Sequence, residues 1–171
     1  AATTKRVSLM AYSTEQLSLG FASPSPALPL RERFAPRVRV GLVCDPGPAE
    51  ELVIRRSRDA YELIKDEART WDRERFLTLL LDTKHHILGV EEVSVGTLSA
   101  SLIHPREVFK AIILANAAAF LAVHNHPSGD PTPSREDIDI TRRLRSVADI
   151  FGVRFLDHVI IGTEGFVSFV D

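Results

Sequence analysis

The segment with the most chemical content is a pair of histidines, His124 and His126, followed by a proline-rich loop and then by Asp137. Residues i and i+2 of an extended strand project to the same side, so the two imidazoles lie side by side at the end of a strand. The loop from His126 to Pro133 contains three prolines and one glycine, which stiffen it and allow it to turn Asp137 back towards the histidines. Two imidazole nitrogens and one carboxylate oxygen form a zinc ligand set that leaves a fourth position for water. The spacing therefore predicts a metal site of the catalytic type.

Ser134 and Asp137 also fit a simpler pattern. A serine three residues before an acidic residue, at the start of an amphipathic segment, is the capping box with which many helices begin. Capping and metal ligation are compatible, because a serine that caps the backbone can still face the site. On a later apolar segment, alternation places Asp157 and His158 on opposite sides, and we interpret His158 as a hydrogen-bonded structural residue rather than a fourth ligand.

The elements around these residues follow from the hydrophobic pattern. Near-continuous apolar runs predict two strands buried on both faces, Arg75–Leu81 and Ala117–Val123, and the second leads directly into the histidines. Alternating or β-branched runs predict further strands at Val38–Cys44, Leu52–Ile54, Ile87–Leu98, Val153–Ile161 and Phe166–Val170. Helical spacing predicts three helices, which are capped or begin at Ser57, Pro105 and Ser134. Because strands and helices do not alternate strictly, the pattern predicts a mixed-sheet α/β or α+β domain.

Composition limits the class of protein. The chain has 171 residues, and 21 Lys+Arg against 23 Asp+Glu give a net charge of −2, which excludes a generally polycationic binder. The first 39 residues carry six basic and two acidic side chains, so residues 40–171 carry a net charge of −6. Proline recurs among small residues between Phe21 and Leu30. We therefore predict a disordered basic tail or linker at residues 1–36 and a folded domain at residues 37–171.

Cysteine content and hydropathy bear on the compartment. Cys44 is the one cysteine, so neither an intramolecular disulfide nor a multi-cysteine zinc cage can form, and we interpret it as a small buried apolar residue. A free thiol fits a reducing compartment. The sequence has no run of about 18 apolar residues and no signal-peptide pattern at its start. We therefore expect a cytoplasmic protein with no part in the membrane.

The pattern H-x-H-x7-S-x2-D, formed here by His124, His126, Ser134 and Asp137, resembles the JAMM motif of the JAB/MPN metalloprotease superfamily. Two longer strings, HPREVFKAIILANAAAFLAVHNHPSGDPTPSREDIDITRRL and GVRFLDHVIIG, resemble its RadC-like branch, and the similarity runs from about Ser57 to the end of the chain. The resemblance implies an α/β domain in which a mixed β-sheet lies between helices, a three-layer arrangement like that of cytidine deaminases. It also implies one Zn²⁺ per chain, held by His124, His126 and Asp137, with water as the fourth ligand.

The resemblance further implies a glutamate that acts as general base, and the matching position is Glu74, directly before the predicted strand Arg75–Leu81. From the residues alone, Glu74 is typical of a solvated charge, and Glu91 and Glu92 are the competing candidates. Ser134 matches the family's serine, which is implied to donate a hydrogen bond to the developing oxyanion.

The resulting hypothesis is a zinc-dependent hydrolase of amide or isopeptide bonds in peptide or protein substrates. The alternatives are a nucleic-acid-associated module of DNA repair, as the family's traditional name indicates, and a non-catalytic MPN scaffold. The net charge of −6 over residues 40–171, and the lack of a helix-hairpin-helix pattern in residues 1–50, make DNA a less favoured partner. The complete set of site residues disfavours the scaffold. A homodimer is the commonest oligomer of soluble proteins, but no residue here supports it directly.

Overall fold

The computed structural model describes residues 5–8, 40–44, 52–96 and 103–170. Within these ranges the helices are α1 (Ser57–Ala68), α2 (Pro105–Leu114) and α3 (Arg135–Phe151). The strands are β1 (Lys5–Ser8), β2 (Gly41–Cys44), β3 (Arg75–Leu81), β4 (Ile87–Val95), β5 (Ala119–Asn125), β6 (Arg154–Ile161) and β7 (Phe166–Ser168). The predicted tail, apart from residues 5–8, and the side chain of Cys44 lie outside the described residues, so both interpretations stay predictions.

Five strands form one mixed sheet in the order β4-β3-β5-β6-β7, and β1 pairs with β2 in a separate two-stranded sheet. In the larger sheet β5 and β6 run parallel, while the other neighbours are antiparallel. Phe76 at the start of β3 lies opposite His124 at the end of β5. The residues just before β3 and those just after β5 therefore meet at the same edge of the sheet.

The sheet separates two hydrophobic cores. On one face, α1 contributes Ala60 and Ile64, which pack with odd-numbered residues of β3 and β5 such as Leu79 and Leu121. On the other face, α2 and α3 pack against even-numbered residues such as Phe120. This alternation follows from the period of two in a strand. The fold is therefore a three-layer α/β domain, and the predicted fold class is confirmed.

The observed ends of a strand match the prediction where the hydrophobic pattern marks them, whereas the start of α1 differs because local hydrogen bonds determine it. The predicted strand Arg75–Leu81 is confirmed at both ends. The predicted cap of α1 is wrong by one residue, because Arg56 occupies the N-cap position and Ser57 is the first helical residue. The Asp59 carboxylate accepts the Arg55 and Arg56 backbone N–H groups at 2.8 and 3.1 Å. Asp59 thereby supplies the N3 half of a capping box, in which an acidic side chain accepts the N–H of the N-cap residue.

Candidate metal centre

The two histidines lie at the end of β5. The strand extends through His124 and Asn125, which is two residues further than the apolar run alone predicts. The His126 N–H continues the contact with β6 by donating to the Ile161 carbonyl at 2.9 Å. As a result both imidazoles lie on the side of the sheet covered by α3, and their Nε2 atoms are 3.0 Å apart.

Asp137 completes the group from the first turn of α3. Its Oδ1 lies 3.1 Å from Nε2 of His124, and its Oδ2 lies 3.3 Å from Nε2 of His126. His124 is fully buried and Asp137 is 6% exposed. Burial alone would raise the pKa of Asp137, but hydrogen bonds with His124, His126 and Ser134 outweigh it and hold the pKa well below its usual range.

The donor set fits a small divalent cation. Ligand atoms of the two histidines and the aspartate all lie within 4.8 Å of one another, so one ion could contact all three. A tetrahedral ion with bonds of about 2.0–2.1 Å separates its ligand atoms by about 3.3 Å, which is close to the distances between these donors. The predicted metal ligands are thus brought together, and the group could hold a metal ion.

The capping box and the ligand group share the same carboxylate. The Ser134 hydroxyl donates to Oδ2 of Asp137 at 2.6 Å and accepts the Asp137 N–H at 3.1 Å. The Ser134 N–H also donates to Oδ2, at 2.7 Å. The Asp137 carboxylate thus belongs both to the capping box and to the candidate ligand group, as the sequence allows. The hydrogen bonds of the cap fix its orientation.

The proline-rich loop orients His126. Nδ1 of His126 donates to the Asp130 carbonyl oxygen at 2.7 Å, so Nε2 of the neutral ring carries the lone pair that a metal ion would need. The hydrogen bond to Asp137 raises the pKa of His126, while burial opposes that shift; the nearby charge of Glu74 contributes to the rise.

Asn125 holds the segment that carries Glu74. The Asn125 side-chain oxygen accepts the Arg75 N–H at 2.8 Å, and its amide nitrogen donates to the Arg73 carbonyl at 3.1 Å. These two bonds flank Glu74 on both sides. No local sequence pattern indicates this contact, because the partners of Asn125 lie about 50 residues earlier in the chain.

Of the competing glutamates, Glu92 is engaged elsewhere, since its carboxylate pairs with the Arg75 guanidinium at 2.8 Å. Glu74, by contrast, precedes β3 and lies at the sheet edge where β5 ends. The role of Glu74 as general base stays a prediction.

His158 and Thr141 lie behind the metal ligands. Nε2 of His158 is 2.8 Å from Nδ1 of His124, and its Nδ1 is 2.6 Å from the Thr141 hydroxyl oxygen. Burial lowers the pKa of His158 well below its usual value. His158 lies outside the ligand group, as the sequence interpretation held. Thr141 was missed, although its position one helical turn after Asp137 could have indicated it.

A cavity of about 220 Å³ adjoins His126 on the side of the sheet covered by α1. Its walls include Arg69 and Trp71 after α1, and Gly162 and Thr163 after β6. A cavity of this size is smaller than a typical drug-sized ligand site, but it leaves room beside the ligand group for part of a larger molecule.

Comparison with known proteins places these features in a family. The model of the RadC-like JAB domain matches residues 54–171. A UPF0758 protein of Desulforamulus reducens is 52% identical over 122 residues, which are 71% of this chain and 54% of that protein. A second, of Syntrophotalea carbinolica, is 57% identical over 106 residues, or 62% of this chain and 47% of that protein. The UPF0758 protein YsxA of Bacillus subtilis is 47% identical over 119 residues, or 70% and 52%. The chain spans about half the length of the curated relatives it matches.

One further observation concerns membranes. Among the residues that the structure describes, no helix combines the length and the apolar character needed to cross a bilayer.

Proposed function

The chain belongs to the RadC-like JAB domain family, and on that premise we propose that it is a zinc-dependent hydrolase of amide or isopeptide bonds in peptide or protein substrates. The observation that carries the proposal is the convergence of His124, His126 and Asp137 on one point. Two imidazoles and one carboxylate are a ligand set found in catalytic zinc sites, whereas structural zinc sites are usually closed by four protein ligands.

Zinc held by these three residues would polarise the substrate carbonyl and lower the pKa of a water molecule to about 7. Glu74, which precedes the strand that pairs with the end of β5, would accept the proton of the attacking water. The same carboxylic acid would then give the proton to the leaving amine. Asn125 supports this role, because its two backbone hydrogen bonds hold the segment on either side of Glu74.

Ser134 has a double task in this scheme. Its hydroxyl proton is directed at Oδ2 of Asp137 in the substrate-free site. To stabilise the tetrahedral oxyanion, the hydroxyl would turn that proton towards the substrate. A well-placed donor of this kind contributes about 3–4 kcal/mol to transition-state stabilisation in other hydrolases.

The cavity beside His126 would receive a part of the substrate next to the scissile bond. Its aromatic wall at Trp71 and the cationic side chain of Arg69 differ from the apolar interior of the domain. An extended peptide could place one side chain there while its carbonyl faces the metal ligands.

The test compares the zinc-loaded protein with its Glu74→Gln variant on a library of peptides and isopeptide-linked peptides. New amino groups are detected by mass spectrometry. We expect hydrolysis to fall about 10²–10⁴-fold in Glu74→Gln, the range that a general base contributes, while bound zinc stays at the wild-type level. Glu67→Gln, an exposed change on α1, is the matched control. Equal activity in Glu74→Gln would exclude Glu74 as the base. If the wild-type protein cleaved no peptide of the library, the proposed hydrolase function would be contradicted.

A further inference from the structure

Three hydrogen bonds and one contact between candidate ligand atoms join His124 and Asp137 in a ring behind the candidate site. The Thr141 hydroxyl lies 2.6 Å from the main-chain carbonyl oxygen of Asp137 and 2.6 Å from Nδ1 of His158. Nε2 of His158 lies 2.8 Å from Nδ1 of His124. Nε2 of His124 then faces Oδ1 of Asp137 at 3.1 Å, which closes the ring.

The chemistry of these groups fixes the direction of the three hydrogen bonds. A carbonyl oxygen only accepts, so the single proton of the Thr141 hydroxyl is donated to Asp137. The Thr141 oxygen must then accept a proton from Nδ1 of His158. A neutral imidazole carries one N–H, so Nε2 of His158 accepts, and the donor is the Nδ1–H of His124. Nε2 of His124 keeps its lone pair, and that lone pair points into the ligand group.

We propose that Thr141 and His158 are positioning residues that hold His124 in its Nδ1–H tautomer and thereby prepare its Nε2 as a metal ligand. The inference rests on the proposed metal site. Thr141 and His158 would orient the His124 ring as the Asp130 carbonyl orients the His126 ring. These contacts lead from the Asp137 main chain on α3 to the His124 side chain on β5. They therefore also fix the distance between α3 and the end of β5.

The surroundings of His158 leave its ring little freedom. The side chain is fully buried, and the Phe169 ring stacks on it with centroids 5.1 Å apart. The Phe76 ring meets it edge-on at 5.5 Å. Its own backbone N–H is held by the Asp157 carboxylate at 2.7 Å. The imidazole is thus fixed in the plane that both of its hydrogen bonds require.

The first test reads the tautomer directly. Nitrogen-15 NMR of the full chain, labelled at histidine, distinguishes Nδ1–H from Nε2–H for each ring with and without zinc. The three hydrogen bonds predict the Nδ1–H tautomer for His158 both with and without zinc. Nε2–H at His158 would overturn the proposal, whether or not the protein binds zinc, so this result is separate from the success of the proposed function.

The second test measures zinc affinity by competition with a chelator. Thr141→Val removes the hydroxyl and keeps the shape, and we expect zinc binding to weaken about 10–100-fold, as for other partners of metal-bound histidines. Ser146→Ala is the matched control, because the Ser146 hydroxyl donates to the Arg142 carbonyl on the exposed face of the same helix. Equal affinities in the two variants would contradict the proposed role.

A third comparison separates positioning from packing. His158→Gln keeps an acceptor for His124 and a donor for Thr141, whereas His158→Leu keeps only the volume. We expect the glutamine variant to bind zinc at least about tenfold more tightly than the leucine variant. Thermal unfolding of each variant checks that the fold is retained. Equal zinc affinity in two folded variants would show that the His158 ring acts only by packing and would overturn the proposal.

Discussion

Asn125 illustrates, at the scale of single residues, how a side chain outside the ligand group can serve the reaction. It stands between His124 and His126 but projects to the other side of β5, where its amide bonds the backbone on either side of Glu74. Two hydrogen bonds from one nearly buried amide fix that backbone better than one bond would. The proposed base is therefore held by the same strand that carries His124 of the candidate ligand group.

The first prediction concerns this amide. Asn125→Leu keeps a similar volume and removes both hydrogen bonds, so the segment around Glu74 loses its anchor. We expect zinc content to stay near the wild-type value and hydrolysis to fall about 100-fold, because displacement of a catalytic group by about 1 Å has an effect of that size. The measurement is zinc content and turnover on the same preparation. Unchanged turnover in a zinc-loaded Asn125→Leu protein would contradict the positioning role.

A second prediction concerns the cap. Ser134→Ala removes the hydroxyl that bonds Asp137 in two directions. We expect the free energy of unfolding to fall by about 1 kcal/mol, as for other helix caps, and Ser134→Thr to restore most of it. Denaturant unfolding of the metal-free protein measures both variants. A threonine variant no more stable than the alanine variant would argue against the cap.

The candidate ligand group could be predicted from the sequence because its members lie close together in the chain. His124, His126 and Asp137 lie within 14 residues, and their elements are marked by strong hydrophobic patterns. The partners of Asn125 and of His158 could not be predicted, because they come from elements that meet only in the folded sheet. Glu74 needed the family resemblance, since a charge next to Arg73 and Arg75 has no distinctive local pattern.

At the scale of elements, the conformation of the loop from His126 to Pro133 depends on Gly129 within it and on Gly162 in the turn after β6. Gly129 has a φ of +85°, and a Cβ there would lie 2.2 Å from the Thr163 hydroxyl. A Cβ on Gly162 would lie 2.4 Å from the Gly129 carbonyl oxygen. That carbonyl accepts the Thr163 N–H at 2.9 Å, so the loop and the turn after β6 touch backbone to backbone.

A third prediction follows from this close approach. Gly162→Ala would push the loop away from the turn, and the Asp130 carbonyl would lose its contact with His126. We expect zinc affinity to fall about 10–100-fold, as when other partners of metal-bound histidines are lost. Gly165→Ala is the matched control, because a Cβ there meets nothing within 4 Å. Chelator competition measures both variants, and equal affinities would contradict the role of the loop contact.

The element boundaries show where sequence patterns stop being informative. The helix α3 begins after Ser134, so its predicted N-cap is confirmed, and it ends before Gly152, whose φ of +67° is favourable for glycine. The end of β5 was placed too early because His124 and Asn125 are polar, although they are buried in the strand. Their polarity is tolerated because each has hydrogen-bond partners in the folded domain.

At the scale of the whole molecule, the charge distribution disfavours binding to nucleic acid. Residues 40–171, which include the large sheet and its helices, carry a net charge of −6. On α3, Arg142 pairs with Asp139 at 3.4 Å on an exposed face, as expected for a solvated surface. Proteins that bind DNA through its phosphates usually present a basic surface instead.

The fourth prediction tests this point by a gel shift with duplex DNA at increasing salt. We expect no complex whose affinity depends steeply on salt, because few phosphates would be neutralised. A complex that weakens about 10³-fold between 50 and 200 mM salt would indicate six or more phosphate contacts. That result would favour the DNA-associated alternative.

The measurement that tests the central claim most directly is the metal content of the protein. The chain is purified without chelators or a polyhistidine tag and analysed by mass spectrometry beside two variants. His124→Ala removes a ligand, and His85→Asn is the control, since His85 lies outside the ligand group and its φ of 65° is one that asparagine tolerates. We predict about one zinc per chain in the wild type and in the control, and its loss in His124→Ala. A wild-type protein that takes up no zinc even when zinc is added, or a His124→Ala variant that binds it equally well, would contradict the account.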